Sequence, residues 1–594
     1  MIRHFIALLY CSLLCIMAGC GNTAADQAQE AEARQMAALY GENRELPAAD
    51  STLTYAVKTG NGFFVGKIDD GVVSYKGIPY AEPPVGSLRW HPPVAAAASN
   101  RVREAYYFGY SPIQTRGVTQ RASYYPQSED CLTLNVWTAP ADSADAAGTR
   151  PVMVYIHGGS YGWGGTSDPM FEGHNLVKNH PDIVLVTINY RLGIFGFLDL
   201  TNLKGGENYS ESANLGILDQ IEALKWVRKN IARFGGDSAN VTIFGESAGG
   251  GSVSLLAVID RAKGLFRRAI AESGSVALSS SKAEARELTD MLVKETGIDS
   301  VGQLMRLTTA QLEKINVKLS AHNRFPMRDG VLIPFDPYKA YREGKARDID
   351  FLSGTNRDEV RYWVGSMGGY VPFKVAINVW YENIMAPLPP EQQKIYDKFT
   401  DEYPGGRTMG RVEFFNDLMF RVPSTLTVSN HSESGGKTYN YLWTKASALP
   451  HRGACHTVEL AYVFGNLDQT IYTGGPVDPQ LSATVQQMWT NFARTGNPGT
   501  GSHPWPQYDP RTRQTMILGD SIGVAADILG EQYRLIEPLA PRFISPLYDT
   551  ISLNVPYVRG ILAVALAVIA AVITAVILLR RRHKRRCQGQ SCRS

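Results

Sequence analysis

A serine bracketed by small residues, Gly245-Glu246-Ser247-Ala248-Gly249, stands between the apolar run Val241 to Phe244 and a stretch compatible with a helix. The pattern G-x-S-x-G between a strand and a helix predicts a sharp turn that lifts the Ser247 hydroxyl off the carboxyl edge of a sheet. Glycines suit the flanks of such a turn, because a side chain there collides with neighbouring backbone. The chemistry is nucleophilic. A serine hydroxyl attacks poorly at neutral pH and needs a base to take its proton. A second element, His157-Gly158-Gly159-Ser160, ends the run Pro151 to Ile156. A glycine-rich loop in that place aims backbone N–H groups at the oxygen of a tetrahedral intermediate, and the N–H of Ala248 supplies another donor. Alone the loop is a plain glycine turn; paired with Ser247 it reads as an oxyanion hole.

Both turns need strands to carry them. PVMVYI over 151–156 and DIVLVTI over 182–188 are continuous apolar runs, the kind buried on both faces of a parallel sheet. VTIF over 241–244 and the segments 266–271, 349–352 and 438–443 offer further strands. Between them, Gly216 to Ile231 places Ile217, Ile221, Leu224 and Val227 on one helical face. Strands alternating with helices predict an α/β fold, a mostly parallel sheet with helices on both faces. The chain has 594 residues, 44% hydrophobic and 19% charged, which supports a large core and excludes disordered, collagen-like and disulfide-scaffold classes. At ~150 residues per domain that length allows about four domains. No repeat or second folded unit, however, marks residues 55–545. The net charge of +3 comes from the ends: 580–594 holds seven basic residues and no acid, Arg3 adds an eighth, and removing these eight leaves −5. That argues against a nucleic-acid binder.

The stretch Phe234-Gly-Gly-Asp237 through Ser247-Ala-Gly-Gly250 resembles the active-site signature of the type-B carboxylesterases, the family that includes the cholinesterases. Ser128-Glu129-Asp130-Cys131 through Asn135-Val-Trp137 resembles its second signature, and Tyr75 to Trp90, Asn189 to Leu198 and Trp489 to Pro498 agree in the family's order. The resemblance implies an α/β-hydrolase fold and a triad in the chain order Ser, Glu, His. The acid falls in Gly354-Thr-Asn-Arg-Asp-Glu359, which points to Glu359 with Asp358 as its rival. The base falls in Gly453-Ala-Cys-His456, while His451 precedes the matching glycine and reads as a surface residue. Glu459 is either a partner of this pair or a structural carboxylate. His456 would take the Ser247 proton, since imidazole titrates near neutral pH, and Glu359 would orient the ring. An acyl-Ser247 would then be hydrolysed by water, with no metal or organic cofactor. By position the oxyanion donors are the N–H groups of Gly159, Ser160 and Ala248.

Several positions depart from the family's pattern. Ser160 stands where the oxyanion loop usually has a third glycine, and Val360 replaces the glycine that commonly follows the acid. Cys131 has no cysteine between it and Cys20 to pair with, so its loop is expected to lack the usual disulfide and to move more freely. Arg121 occupies the position of the cholinesterases' choline-binding tryptophan, where it would deny a quaternary ammonium its aromatic platform and present a like charge. The expected function is hydrolysis of a small-molecule carboxylic ester. Neuroligin-like adhesion proteins share the fold but typically lack the nucleophile, and amide or thioester cleavage is open to the same triad.

The ends read as addresses. Arg3 and His4 precede the thirteen-residue apolar run Phe5 to Met17, with Ala18 and Gly19 behind it, the layout of a signal peptide over 1–19. Met17-Ala18-Gly19-Cys20 resembles a lipobox, making Cys20 a candidate for lipidation. Residues 20–52 read as a spacer or solvated helix and 53–545 as the catalytic domain. Ile561 to Leu579 has no charge over nineteen residues, enough to span the ~30 Å hydrocarbon core, within a membrane segment 557–579. The basic run from Arg580 predicts a cytoplasmic tail over 580–594 and an extracytoplasmic body. A removable C-terminal sorting signal has the same layout.

Overall fold

The computed structural model describes residues 24–47, 54–116, 121–140, 148–320, 324–366, 374, 377–378, 381–382, 384–542, 571 and 573–579. Its strands in chain order are β1 (Glu45–Leu46), β2 (Ala56–Thr59), β3 (Gly62–Val65), β4 (Lys67–Asp69), β5 (Val72–Pro79), β6 (Val102–Glu104), β7 (Thr133–Thr138), β8 (Arg150–Ile156), β9 (Val184–Ile188), β10 (Gly236–Glu246), β11 (Arg268–Glu272), β12 (Asp350–Asn356), β13 (Thr438–Trp443), β14 (Thr515–Leu518) and β15 (Gly523–Ala525). Eleven of them form one sheet in the order β15-β14-β13-β12-β11-β10-β8-β9-β7-β5-β4, and the rest form a small sheet ordered β1-β6-β3-β2. From β9 through β8, β10, β11, β12 and β13 to β14 the pairing is parallel. The strands β4, β5 and β7 at one edge and β15 at the other join antiparallel.

Alternation along the strands divides the core into two layers. Val152, Val154 and Ile156 of β8 turn to one face with Val184, Val186, Val241 and Ile243, where they meet Ile217, Ile221, Leu224 and Val227 of the Leu215–Asn230 helix. Met153, Tyr155, Leu185, Phe244 and Ile270 turn to the other, into a cluster with Phe464 and Trp489. Each such side chain contributes about 1.5–3 kcal/mol by leaving water. With both faces covered, the central strands have no polar side. They therefore appear in the sequence as largely apolar runs, broken by buried Thr187, Thr242, Ser353 and Asn440.

The segment expected as a spacer belongs partly to the folded body. Residues Ala24–Ala38 form a helix whose Met36 is fully buried, and β1 pairs antiparallel with β6. The body therefore begins upstream of residue 53. The sequence concealed this because Met36 is the single large apolar side chain on an Ala-, Gln- and Glu-rich helix, which leaves no periodic stripe to read. The signal-like run Phe5 to Met17, Cys20 and the basic tail lie outside the described residues, as does most of Ile561 to Leu579. Among the described residues no helix is long and apolar enough to cross a membrane.

Candidate active site

Four strand ends meet where the parallel strands finish, the edge at which α/β sheets hold ligands. Ile156 of β8 pairs with Gly245 of β10, and Glu246 pairs with Glu272 of β11, so the loop from His157 and the turn at Ser247 emerge side by side. Beyond β12 comes Glu359, and beyond β13 comes His456. Ser247 has φ 56 and ψ −121, and the helix Ala248–Leu256 starts immediately after it. A Cβ at Gly249 would run into the Ile156 carbonyl oxygen, so only glycine lets the turn lie this close to the end of β8 and the loop from His157. The left-handed conformation at Ser247 costs about 1–3 kcal/mol. It is held by the Ser247 N–H donating to the Glu272 carbonyl at 2.9 Å and by the Gly251 N–H donating to the Ser247 carbonyl at 2.8 Å.

His456 Nδ1 lies 2.6 Å from Glu359 Oε2, and the other carboxylate oxygen accepts the Asn356 backbone N–H at 2.7 Å. The imidazole also stacks on Trp363, with ring centres 5.7 Å apart, and touches Phe420 at 4.8 Å. Both members of the pair are buried. A carboxylate at Nδ1 keeps the proton of a neutral ring there and leaves Nε2 as the acceptor. His456 and Ser247 line one cavity of about 100 Å³ with Gly159, Ser160, Trp163 and Tyr472. The N–H groups of Gly159, Ser160 and Ala248 donate to no other described residue. Asp358 is otherwise engaged: it accepts the Ala454 N–H at 2.8 Å and pairs with Arg357 at 3.0 Å and Arg361 at 3.4 Å. His451 is exposed.

Comparison with known proteins places this geometry. The model of the carboxylesterase family matches residues 54–535. The chain belongs to the carboxylesterase family. It is 37% identical to the para-nitrobenzyl esterase of Bacillus subtilis, over 81% of this chain and 98% of that protein. It is 33% identical to liver carboxylesterase 1F of Rattus norvegicus, covering 81% and 91% of the two chains. Among solved structures, a carboxylesterase of Geobacillus stearothermophilus superposes with a TM-score of 0.72 at 33% identity, covering 81% of this chain and all of the other. The fold is that of the α/β-hydrolases, and the protein is a carboxylesterase.

Within this carboxylesterase several departures from the family's pattern acquire a physical account. Ser160 adopts φ 50, a glycine-like conformation in a residue with a side chain. Replacing it by glycine keeps the N–H and removes roughly 1 kcal/mol of left-handed strain, part of which the freer unfolded chain takes back. Ser160→Gly should therefore raise stability by about 0.5 kcal/mol in a urea titration; a loss of stability would contradict the strain. Val360 is fully buried in a cluster with Ile377 and Tyr381, so it anchors the loop that carries Glu359. Cys131 and Cys455 are free and buried. Cys131 sits in the main core at the entrance to β7, and packing rather than a disulfide fixes it, against the expectation of a looser loop.

Arg121 needs a correction. Its guanidinium donates to Asp168 Oδ1 at 2.7 Å and to Gln469, so its charge is matched within the wall and presents no bare cation to a ligand. The sequence could not show this, because Asp168 is 47 residues away.

Glu246 was hidden as the variable second position of the serine motif, yet its Oε1 lies 3.1 Å from His456 Nε2, though not aligned for a hydrogen bond. It belongs to a group of buried glutamates. Burial raises Glu246 well above the ordinary carboxyl range, and Glu459, Glu359 and Glu272 reinforce the shift. Burial also pushes Glu272 up to about 7, against a hydrogen bond from Trp489. Glu459 is pushed up to about 8 by burial, then by Glu359 and Glu272; its Oε2 accepts the Asn356 amide at 2.5 Å.

This burial also makes stability depend on pH. The folded chain holds these protons where the unfolded chain, titrating near 4.5, has lost them. The stability they contribute is complete below that value and is lost as the pH rises through about 7 and about 8. Denaturation midpoints should thus fall across that window, and Glu459→Gln should flatten the fall. A midpoint that climbs would reverse the sign of this linkage.

Proposed function

We propose that Ser247 is the nucleophile, His456 the general base and acid, and Glu359 the residue that orients His456, in an esterase working through an acyl-serine intermediate. The observation that carries the reading is the 2.6 Å His456–Glu359 pair, whose His456 lines the same small cavity as a strained serine. Nε2 of His456 takes the Ser247 proton as Oγ attacks the ester carbonyl. The N–H groups of Gly159, Ser160 and Ala248 hold the oxyanion, and the protonated imidazole delivers its proton to the leaving alcohol. Water then attacks the acyl group by the same route in reverse. For His456 to serve Ser247, its Nε2 must exchange the neighbourhood of Glu246 for that of the hydroxyl.

A cavity of about 100 Å³ walled by Trp163, Phe171, Trp363 and Phe420 favours short acyl groups and aryl alcohols. The Bacillus relative is named for para-nitrobenzyl esters, which makes para-nitrobenzyl acetate a natural member of a test panel. Quenching a turnover of p-nitrophenyl acetate and mapping the acetylated peptide tests the intermediate; acetyl on a residue other than Ser247 overturns it.

The same reading places the catalytic domain outside the cytoplasm. Support comes from the sequence: the apolar run behind Arg3, Cys20 in its lipobox-like setting, and the uncharged segment within 557–579 followed by the basic run of 580–594. A lipid on Cys20 and a retained membrane helix are alternative anchors. The intact mass of the mature chain distinguishes them: an unprocessed N-terminus with residue 594 present removes the export signal from this account.

A further inference from the structure

The Ala24–Ala38 helix lies ahead of residue 54, where the family match begins, yet it is packed against the body of the enzyme. Met36 seals it there, fully buried in the same cluster as Tyr124 and Tyr125, and Tyr40 follows with its ring edge-on to Tyr125 at 5.9 Å. The surface it covers is the short 3-10 turn Arg121–Tyr124. Glu32 of this helix has a carboxyl oxygen that is buried and without a hydrogen-bond partner, and Nε of Arg121 is in the same position. The two make no ion pair: burial raises the Glu32 carboxyl above its ordinary range, the charge of Arg121 opposing that shift and Asp168 adding to it.

Arg121 is the staple of the cavity wall. One arm of its guanidinium donates to Asp168 Oδ1 at 2.7 Å, and that oxygen also accepts the Met170 N–H at 2.9 Å, capping the turn Pro169–Phe171. Met170 and Phe171 line the cavity that holds Ser247. The other arm donates to Gln469, three residues before Tyr472, which lines the same cavity. One buried cation thus ties together two wall segments, and its outer side is covered by a helix from beyond the family's matched span.

We propose that the Ala24–Ala38 helix, by packing over the turn that carries Arg121, fixes the width of the substrate cavity and so selects against bulky esters. The proposal rests on the Ser247 cavity being the catalytic one. Glu32 is a positioning residue: it touches no reacting atom and acts through Arg121, Asp168 and the Pro169–Phe171 turn. Shortening Glu32 to alanine opens the buried edge of the helix beside Arg121 to water, and loosening the helix does so more fully; water then competes for both arms of the staple. Either change lets the two wall segments separate.

The test uses the full chain with Glu32→Ala, Glu32→Asp and Met36→Ala, measuring kcat and KM for p-nitrophenyl acetate and p-nitrophenyl octanoate. Glu32→Ala and Met36→Ala should raise the octanoate-to-acetate ratio of kcat/KM about fivefold. The change should appear mainly in the octanoate KM, with acetate kcat kept within about twofold, and Glu32→Asp should return the ratio most of the way. A purely structural helix predicts a lower melting temperature with an unmoved ratio, and that result overturns the proposal. Should Met36→Ala fail to fold, the ratio in Glu32→Ala decides alone. Ser247→Ala in the same assay separates the two levels: surviving turnover there removes the catalytic assignment, whereas an unmoved ratio with Ser247-dependent turnover removes only the role of the helix.

Discussion

Ser247→Ala should lower kcat for p-nitrophenyl acetate by about 10⁶-fold, the scale on which serine hydrolases lose their nucleophile. In the proposed mechanism the hydroxyl is the group that bonds to the substrate, so its loss removes the covalent step. The residual rate, about 10³–10⁴ above water, would come from the oxyanion donors and substrate binding. Because the triad acts as a unit, adding His456→Ala to Ser247→Ala should cost almost nothing more. The fold should survive, since the turn is held by backbone bonds from Ser247 and Gly251 and by the close approach of Gly249 to Ile156, none of which involves the hydroxyl. Steady-state kinetics beside a circular dichroism spectrum checks both halves. Undiminished turnover in a folded variant would falsify the assignment of Ser247.

The parts of this molecule that were legible in the sequence are those whose physics is local. A strand buried on both faces is largely apolar, so β8 and the Val241–Phe244 part of β10 appear as apolar runs, and β13 spans the expected segment Thr438 to Trp443 although Asn440 lies buried within it. The Leu215–Asn230 helix is legible because one of its faces meets the sheet. The turn at Ser247 is local too: a strained residue next to obligatory glycines leaves a pattern. Edge strands leave none; β4 is three exposed residues without alternation. The base and the acid are a different case. His456 is one of eleven histidines and lies 97 residues from Glu359, and no spacing rule joins them. Only resemblance singled them out. The long-range charge pairs, Arg121 with Asp168 and Glu246 beside His456, were illegible for the same reason, because chain folding brings distant groups into contact without marking either one.

Glu359→Gln should lower kcat by about 10⁴-fold while leaving KM for small esters nearly unchanged, and the reason lies in which atom faces which. Oε1 of Glu359 accepts from the Asn356 backbone N–H at 2.7 Å, a group that can only donate. In the glutamine variant the amide oxygen must take that place, because turning the NH₂ toward it would set donor against donor in a buried site. The NH₂ is then left facing His456 Nδ1, where the carboxylate oxygen stood at 2.6 Å. Nδ1 must become the acceptor, which moves the ring proton to Nε2 and leaves no lone pair to receive the proton of Ser247. The variant is nearly isosteric, so Trp363 and Phe420 should still hold the ring and the melting temperature should change little. A Glu359→Asp variant keeps an acceptor-only carboxylate and should lose far less activity than Glu359→Gln, although it is the larger change in shape. If the two lost activity equally, Glu359 would matter for geometry alone, and the tautomer argument would fail.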